Sequence, residues 1–311
     1  MDPSWLYPRL IDGLLTPFDY LISPGKRLFW GHLLMAFLLA YWVYKRSHQR
    51  RSFVRYIFNP TVWLGDSARI DYSLAFINGL VKVLILGPWI FAGFAIAFEV
   101  SEGLHSLFGR IETQPSITMA LALYTLSIVI VGDFCSYVVH YAMHRVPFLW
   151  AIHQTHHSAT HLNPVTQYRI HPLELLINNV RSILVFGVIT GCFDYWVQQR
   201  IEPISFLGVN VLRFGFLAWG SNLRHSHVKL RYWSWLERIL ISPYQHQIHH
   251  DTSAENHTKN LGAIFAIWDG LFGTLKRSRK VSKLRFGLGN KHPAETSLWR
   301  NLWPKKPRDG A

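Results

Sequence analysis

Residues Asp133 to His157 read DFCSYVVHYAMHRVPFLWAIHQTHH. The stretch closes a long apolar run and holds five histidines in two clusters, His140 and His144 as HxxxH, then His153, His156 and His157 as HxxHH. The second pattern recurs as His246, His249 and His250. Helical positions i, i+3 and i+4 share one face, so each cluster can turn its imidazoles to a common centre. Neutral imidazole is a ligand for zinc, iron, copper and nickel. Scattered surface or pH-sensing histidines are the bland alternative. Against it, 13 of the 17 histidines fall between His140 and His257, and two identical triplets plus a pair match ligand spacing. The pattern reads as a metal site.

Working outward, the composition excludes an ordinary soluble domain. Half of the 311 residues are hydrophobic and only 16% are charged, where about a quarter is usual. A net charge of +14 can signal nucleic acid, but the basic residues gather beside apolar spans and read as flanks facing anionic lipid, with no nucleic-acid partner. Cys135 and Cys192 both lie in apolar segments, so there is no disulfide framework and no CxxC zinc motif.

The expected fold is all-α, a polytopic membrane protein of about five transmembrane helices with a cytoplasmic, histidine-rich helical cap. Residues 1–27 carry Trp5, Leu6, Leu10, Ile11, Leu14 and Leu15 at helical spacing and suit an amphipathic segment in the membrane interface, or a partner-binding or core-packing helix. Residues 28–275 form the membrane-embedded domain, with a core at 133–274. Its expected crossings are Leu28–Tyr44, a span within Ser73–Phe98 kinked at Pro88, Ile117–Val139, Leu175–Trp196 and Ile204–Trp219. Lys45, Arg46, Arg50, Arg51 and Arg55 mark the first loop as cytoplasmic, and Glu99, Glu102 and Glu112 place the next outside. Residues 276–311 read as a basic cytoplasmic tail. Arg213 inside the fifth expected crossing demands a partner, which Asp133 or Asp194 can supply.

The three ordered clusters, together with RIHPLE at Arg169–Glu174, LRHSH at Leu223–His227 and NLGAIFAIWDGLFGT at Asn260–Thr274, resemble the integral-membrane fatty acid hydroxylase and sterol desaturase superfamily. The likeness covers about Asp133 to Thr274 and misses the amino-terminal third. It implies a non-haem di-iron centre that uses O₂ to hydroxylate or desaturate a lipid C–H bond, in a bacterial inner membrane or the endoplasmic reticulum. Spacing alone does not choose iron over zinc; that choice belongs to the resemblance. His225 joins the eight cluster histidines through the LRHSH segment. Nine imidazoles exceed one ion, so two are implied. Asn222 and His227 are candidates for a further position, and His171 and His257 for ligands or neighbours. Asp133 and Glu174 are acids able to fix a ligand's second nitrogen, with Asp251 and Asp269 further candidates. The sequence holds no GxGxxG fingerprint and no HPGG signature, so a separate electron donor is expected, a cytochrome b5-like protein or a ferredoxin with its reductase. The competing readings are a histidine-rich metal transporter, which would place ligands near the bilayer midplane, and a non-catalytic metal-binding scaffold.

Overall fold

The computed structural model describes residues 6–47, 49–281, 283–289 and 292–303. Trp5 of the amphipathic segment and residues 304–311 of the basic tail lie outside them. The described chain is predominantly helical. In order it forms α1 (Leu6–Ile22), α2 (Trp30–Arg46), α3 (Phe53–Ile57), α4 (Pro60–Leu64), α5 (Asp66–Val81) and α6 (Ala92–Phe108), then α7 (Ile117–Arg145), α8 (Pro147–His157), α9 (Pro172–Val197) and a hairpin of β1 (Ser205–Phe206) and β2 (Val209–Asn210). The carboxyl-terminal part carries α10 (Val211–Ala218), α11 (Pro243–His249), α12 (Ala254–His257), α13 (Ile267–Leu271) and α14 (Leu298–Leu302).

Three helical runs are long and apolar enough to cross a membrane: Asp66–Phe108, Ile117–Arg145 and Pro172–Val197. The first joins α5 to α6 through a π turn at Lys82–Leu86 and a 3₁₀ turn at Gly87–Trp89, where Pro88 interrupts the ladder. α6 and α9 pack closely because glycines let their backbones meet. A Cβ on Gly187 would stand 2.6 Å from the Ile96 Cβ, and one on Gly191 would stand 2.5 Å from the Ala97 carbonyl oxygen. In α1 the apolar stripe of Leu10, Ile11, Leu14 and Leu15 is exposed, while the Gly13 and Tyr20 face packs on α5.

Of the two other expected crossings, the structure overturns one. α2, at 17 residues, falls short of the three long runs. Ile204–Trp219 is not a membrane helix at all: it is the two-stranded hairpin followed by α10, whose eight residues rise only about 12 Å. Leu207 and Gly208 at the hairpin tip both take positive φ, 50° and 72°, as a two-residue turn of this hand requires. The hairpin is docked on α7. The Ile204 amide donates to Thr125 Oγ1 at 2.8 Å, and Asn210 Nδ2 donates to the Thr125 carbonyl at 3.0 Å. Val197 and Ile201 pack with Ala120 and Tyr124 near the start of α7, whereas His225 lies against His156, beyond its end. The chain therefore returns to the histidine layer through irregular backbone that is anchored to α7 at Thr125.

That layer is tied together by Arg169, which is fully buried. Its guanidinium pairs with Asp71 of α5 at 3.2 Å and donates to Thr155, Ser158, Ser67 and the Ala294 carbonyl. Asn301 of α14 donates to that same Ala294 carbonyl and accepts from Thr155 and Ser158, so the described part of the tail packs on α8.

Candidate metal centre

Each HxxHH triplet is presented by a short helix with a built start. Pro147 opens α8 and Pro243 opens α11, each at a first-turn position that needs no amide donor. Ser242 and Gln245 complete a reciprocal cap on α11. α7 is about 43 Å long, longer than the bilayer's hydrocarbon layer, so His140 and His144 stand at its far end.

The nine histidines converge into two groups. His140, His144, His153, His157 and His249 form one; His156, His225, His246 and His250 form the other. Within each group, one nitrogen per residue lies within 4.8 Å of all the others. In the second group the Nε2 atom of His225 is 3.2 Å from that of His156, 3.2 Å from that of His250 and 3.1 Å from that of His246. Tetrahedral ligands on metal–nitrogen bonds of about 2.1 Å are separated by about 3.4 Å. The spacing thus suits a bound divalent ion.

The outward nitrogens show how the rings are aimed. His153 Nδ1 donates to the Glu174 carboxylate at 3.0 Å. His140 Nδ1 donates to the Leu261 carbonyl at 2.7 Å, His156 Nδ1 to that of Arg169 at 3.2 Å and His249 Nδ1 to that of Lys259 at 3.0 Å. A proton fixed on Nδ1 leaves the Nε2 lone pair pointing inward. Both nitrogens of His144 and His157, Nε2 of His249 and Nδ1 of His246 and His250 are buried without a protein partner. Burial, and then the neighbouring histidines, hold the unmetallated rings neutral: His153 and His156 are pushed down to about 3, and His157, His225, His246, His249 and His250 well below the usual imidazole range. Buried, neutral, convergent lone pairs are the donor set of a cation site.

The remaining candidates stand apart from these groups. His171 caps α9: its Nδ1 accepts from the Leu173 amide and its Nε2 donates to the Leu302 carbonyl. The His227 ring lies edge-on to Tyr56. His257 packs on Trp150 and touches the rings of His144 and His157 from outside the first group. Asn222 Nδ2 donates to the Arg27 carbonyl at 2.6 Å, leaving its buried Oδ1 unpartnered. Asp133 accepts from the Ile264 and Phe265 amides and from the Trp268 ring. Asp269 likewise caps the Leu261 and Gly262 amides, and Asp251 accepts from Ser253 and Asn256. Asp133 and Asp269 therefore shape the loop from Asn260 to Thr274, whose Leu261 carbonyl aims His140. The carbonyls of Leu261, Lys259 and Arg169 escaped the sequence reading because backbone acceptors leave no side-chain signature.

A helical membrane protein with two convergent polyhistidine groups beside the end of the long helix α7 defines the class. Residues 125–274 match the fatty acid hydroxylase family, and that match together with the relatives that follow supports the fatty acid hydroxylase and sterol desaturase superfamily for this chain. It is 30% identical over 185 residues to the alkylglycerol monooxygenase of Homo sapiens, which covers 55% of this chain and 36% of that protein. The Caenorhabditis elegans alkylglycerol monooxygenase is 28% identical over 156 residues, 50% of this chain and 28% of that protein. Fatty acid hydroxylase vlmA of Lecanicillium sp is 23% identical over 224 residues, 67% of this chain and 54% of that protein. The chain thus spans little more than a third of the length of the human relative. No solved structure matches it.

Proposed function

We propose that this chain is a membrane-bound, O₂-dependent oxidoreductase that hydroxylates a lipid C–H bond, with two iron ions held by the nine histidines. The observation that carries the reading is the convergence of nine inward nitrogens into two groups. His140, His144, His153, His157 and His249 would hold one ion and His156, His225, His246 and His250 the other. The donor set fits a first-row divalent metal, and the relatives' names supply the oxidative chemistry. Two irons there would supply activation of O₂ towards an inert C–H bond.

The protein's own part is positioning and exclusion of water. Glu174 and the carbonyls of Leu261, Lys259 and Arg169 aim the ligand rings. A cavity of about 220 Å³, lined by His140, His153, His156, His225, His246 and Met143 among others, gives a substrate carbon access to both groups. The overall change is R–H + O₂ + 2e⁻ + 2H⁺ → R–OH + H₂O, so two electrons must enter. We assign them to a separate acidic carrier, drawn to a region between Gly220 and Ala311 with 16 basic and 6 acidic residues. We assign the histidine layer to the cytoplasmic side, an orientation that those basic residues support.

Purified protein should contain about two irons per chain by elemental analysis, and with carrier, reductase, lipid and ¹⁸O₂ it should place one labelled oxygen in the product. Lipid oxidation with unlabelled product, or none from iron-replete protein across acyl and ether lipids, would overturn the reading.

A further inference from the structure

A second cavity, of about 330 Å³, lies among α7, α9 and α10. It shares Arg27 and Ser136 with the cavity at the histidines, so the two adjoin there, and we read them as one passage. Its walls carry three arginines, Arg27, Arg181 and Arg213, and one acid, Asp133. The expected pairing of Arg213 with Asp133 or Asp194 does not occur. Asp133 already accepts from two amides and an indole. Arg181 donates only to neutral partners, Asn178 at 3.0 Å and Ser182 at 3.2 Å. Among the described residues no carboxylate forms an ion pair with Arg27, Arg181 or Arg213, although the buried Arg169 does find Asp71.

Cationic side chains within a membrane protein carry a heavy solvation cost unless a counter-charge meets them. Here three planar guanidinium forks face a passage that leads to the metal ligands. Guanidinium is also the side chain best matched to a two-oxygen acceptor. Arg27 and Arg181 are half-buried and Arg213 is exposed, so the trio runs from the enclosed part of the passage to its open side. Arg181 is seven residues beyond Glu174 on α9, about 10 Å along the axis from a group that touches His153.

We propose that the missing counter-charge is the substrate's own: the chain binds a lipid with an oxyanion headgroup, a carboxylate or a phosphate, at Arg27, Arg181 and Arg213, and presents the hydrocarbon to the histidine groups. This rests on the reading of the chain as a lipid oxidoreductase and gives its substrate a charge.

The test is binding, without turnover, to anaerobic metal-loaded protein in neutral detergent. The probes are hexadecanoic acid, 1-hexadecylglycerol 3-phosphate and uncharged 1-hexadecylglycerol. At least one anionic probe should bind about tenfold or more tightly than the neutral one, and which of them wins identifies the headgroup. Arg181→Gln and Arg213→Gln should each remove most of that difference, and Arg213→Lys should keep part of it and confirm that the site still folds. Equal or tighter binding of the neutral lipid, or a preference that survives both glutamine variants, would overturn the proposal. The two readings fail separately. Anion preference with no oxidation of any lipid removes the oxidoreductase reading alone, and oxidation of lipids without anion preference removes this one alone.

Discussion

The Nδ1 atom of His153 lies 3.0 Å from the Oε1 atom of Glu174, and both side chains are buried. Glu174 belongs to α9 and His153 to α8, so one hydrogen bond fixes both the tautomer of a candidate ligand and the angle between two helices. Replacing Glu174 by Ala should leave the fold in the membrane and weaken metal retention by about 10–100-fold, read as iron lost to a competing chelator. Unchanged retention would show that the carboxylate does not orient the ring.

His249 and His227 form a matched pair of substitutions. His249 belongs to the first group and has its Nδ1 on the Lys259 carbonyl, whereas His227 stacks edge-on to Tyr56. His249→Ala should lower the metal content measured on purified protein, and His227→Ala should leave it at the parent value. The opposite ranking would relocate the site.

Asp133 governs a loop through three hydrogen bonds. In Asp133→Ala the Ile264 and Phe265 amides lose their acceptor, at a cost of about 2–4 kcal/mol in unfolding free energy. The same loop carries the Leu261 carbonyl that aims His140, so metal retention should fall with stability. Chelator competition and thermal unfolding of one sample report both. A drop in melting temperature with full retention would separate the loop from the site.

Metal removal should be felt by the whole histidine layer, because its candidate ligands come from α7, α8, α11 and the turn at His225. An ion bound at about a thousand times its dissociation constant contributes about 4 kcal/mol. Stripped protein should melt at a lower temperature, and ferrous iron should restore the original transition. An unchanged melting curve would mean that the imidazoles pack as well without a cation as with one.

The gathering of eight of the nine histidines was legible because side-chain donors at helical spacing show in the sequence, whereas His225 stood out only through the family resemblance of its LRHSH segment. What aims them was only half legible. Glu174 was one of several acids that could fix a ligand's second nitrogen, but the carbonyls of Leu261, Lys259 and Arg169 belong to the backbone and depend on tertiary contacts. Ile204–Trp219 misled because its apolar content suits a span, while the turn at its head is built on Leu207, a residue that seldom takes positive φ. The partner assigned to Arg213 failed for a related reason: charge matching along a sequence cannot tell that Asp133 is already occupied by amides.

The run from Asp66 to Phe108 is 43 residues, about 64 Å, roughly twice the hydrocarbon thickness of a bilayer. Its distal part, α6, is bound to α9 rather than to the histidines. Its proximal part is locked in place: Asn78 donates to the carbonyls of Tyr168 and Ile170, on either side of Arg169. Between the two lie the π and 3₁₀ turns of Lys82–Trp89, where hydrogen-bond geometry is poorest and bending costs least. When a thicker or thinner bilayer tilts α6, the break yields before Asn78 does. A joint of this kind would keep the geometry at the histidines apart from the elasticity of the membrane around α6.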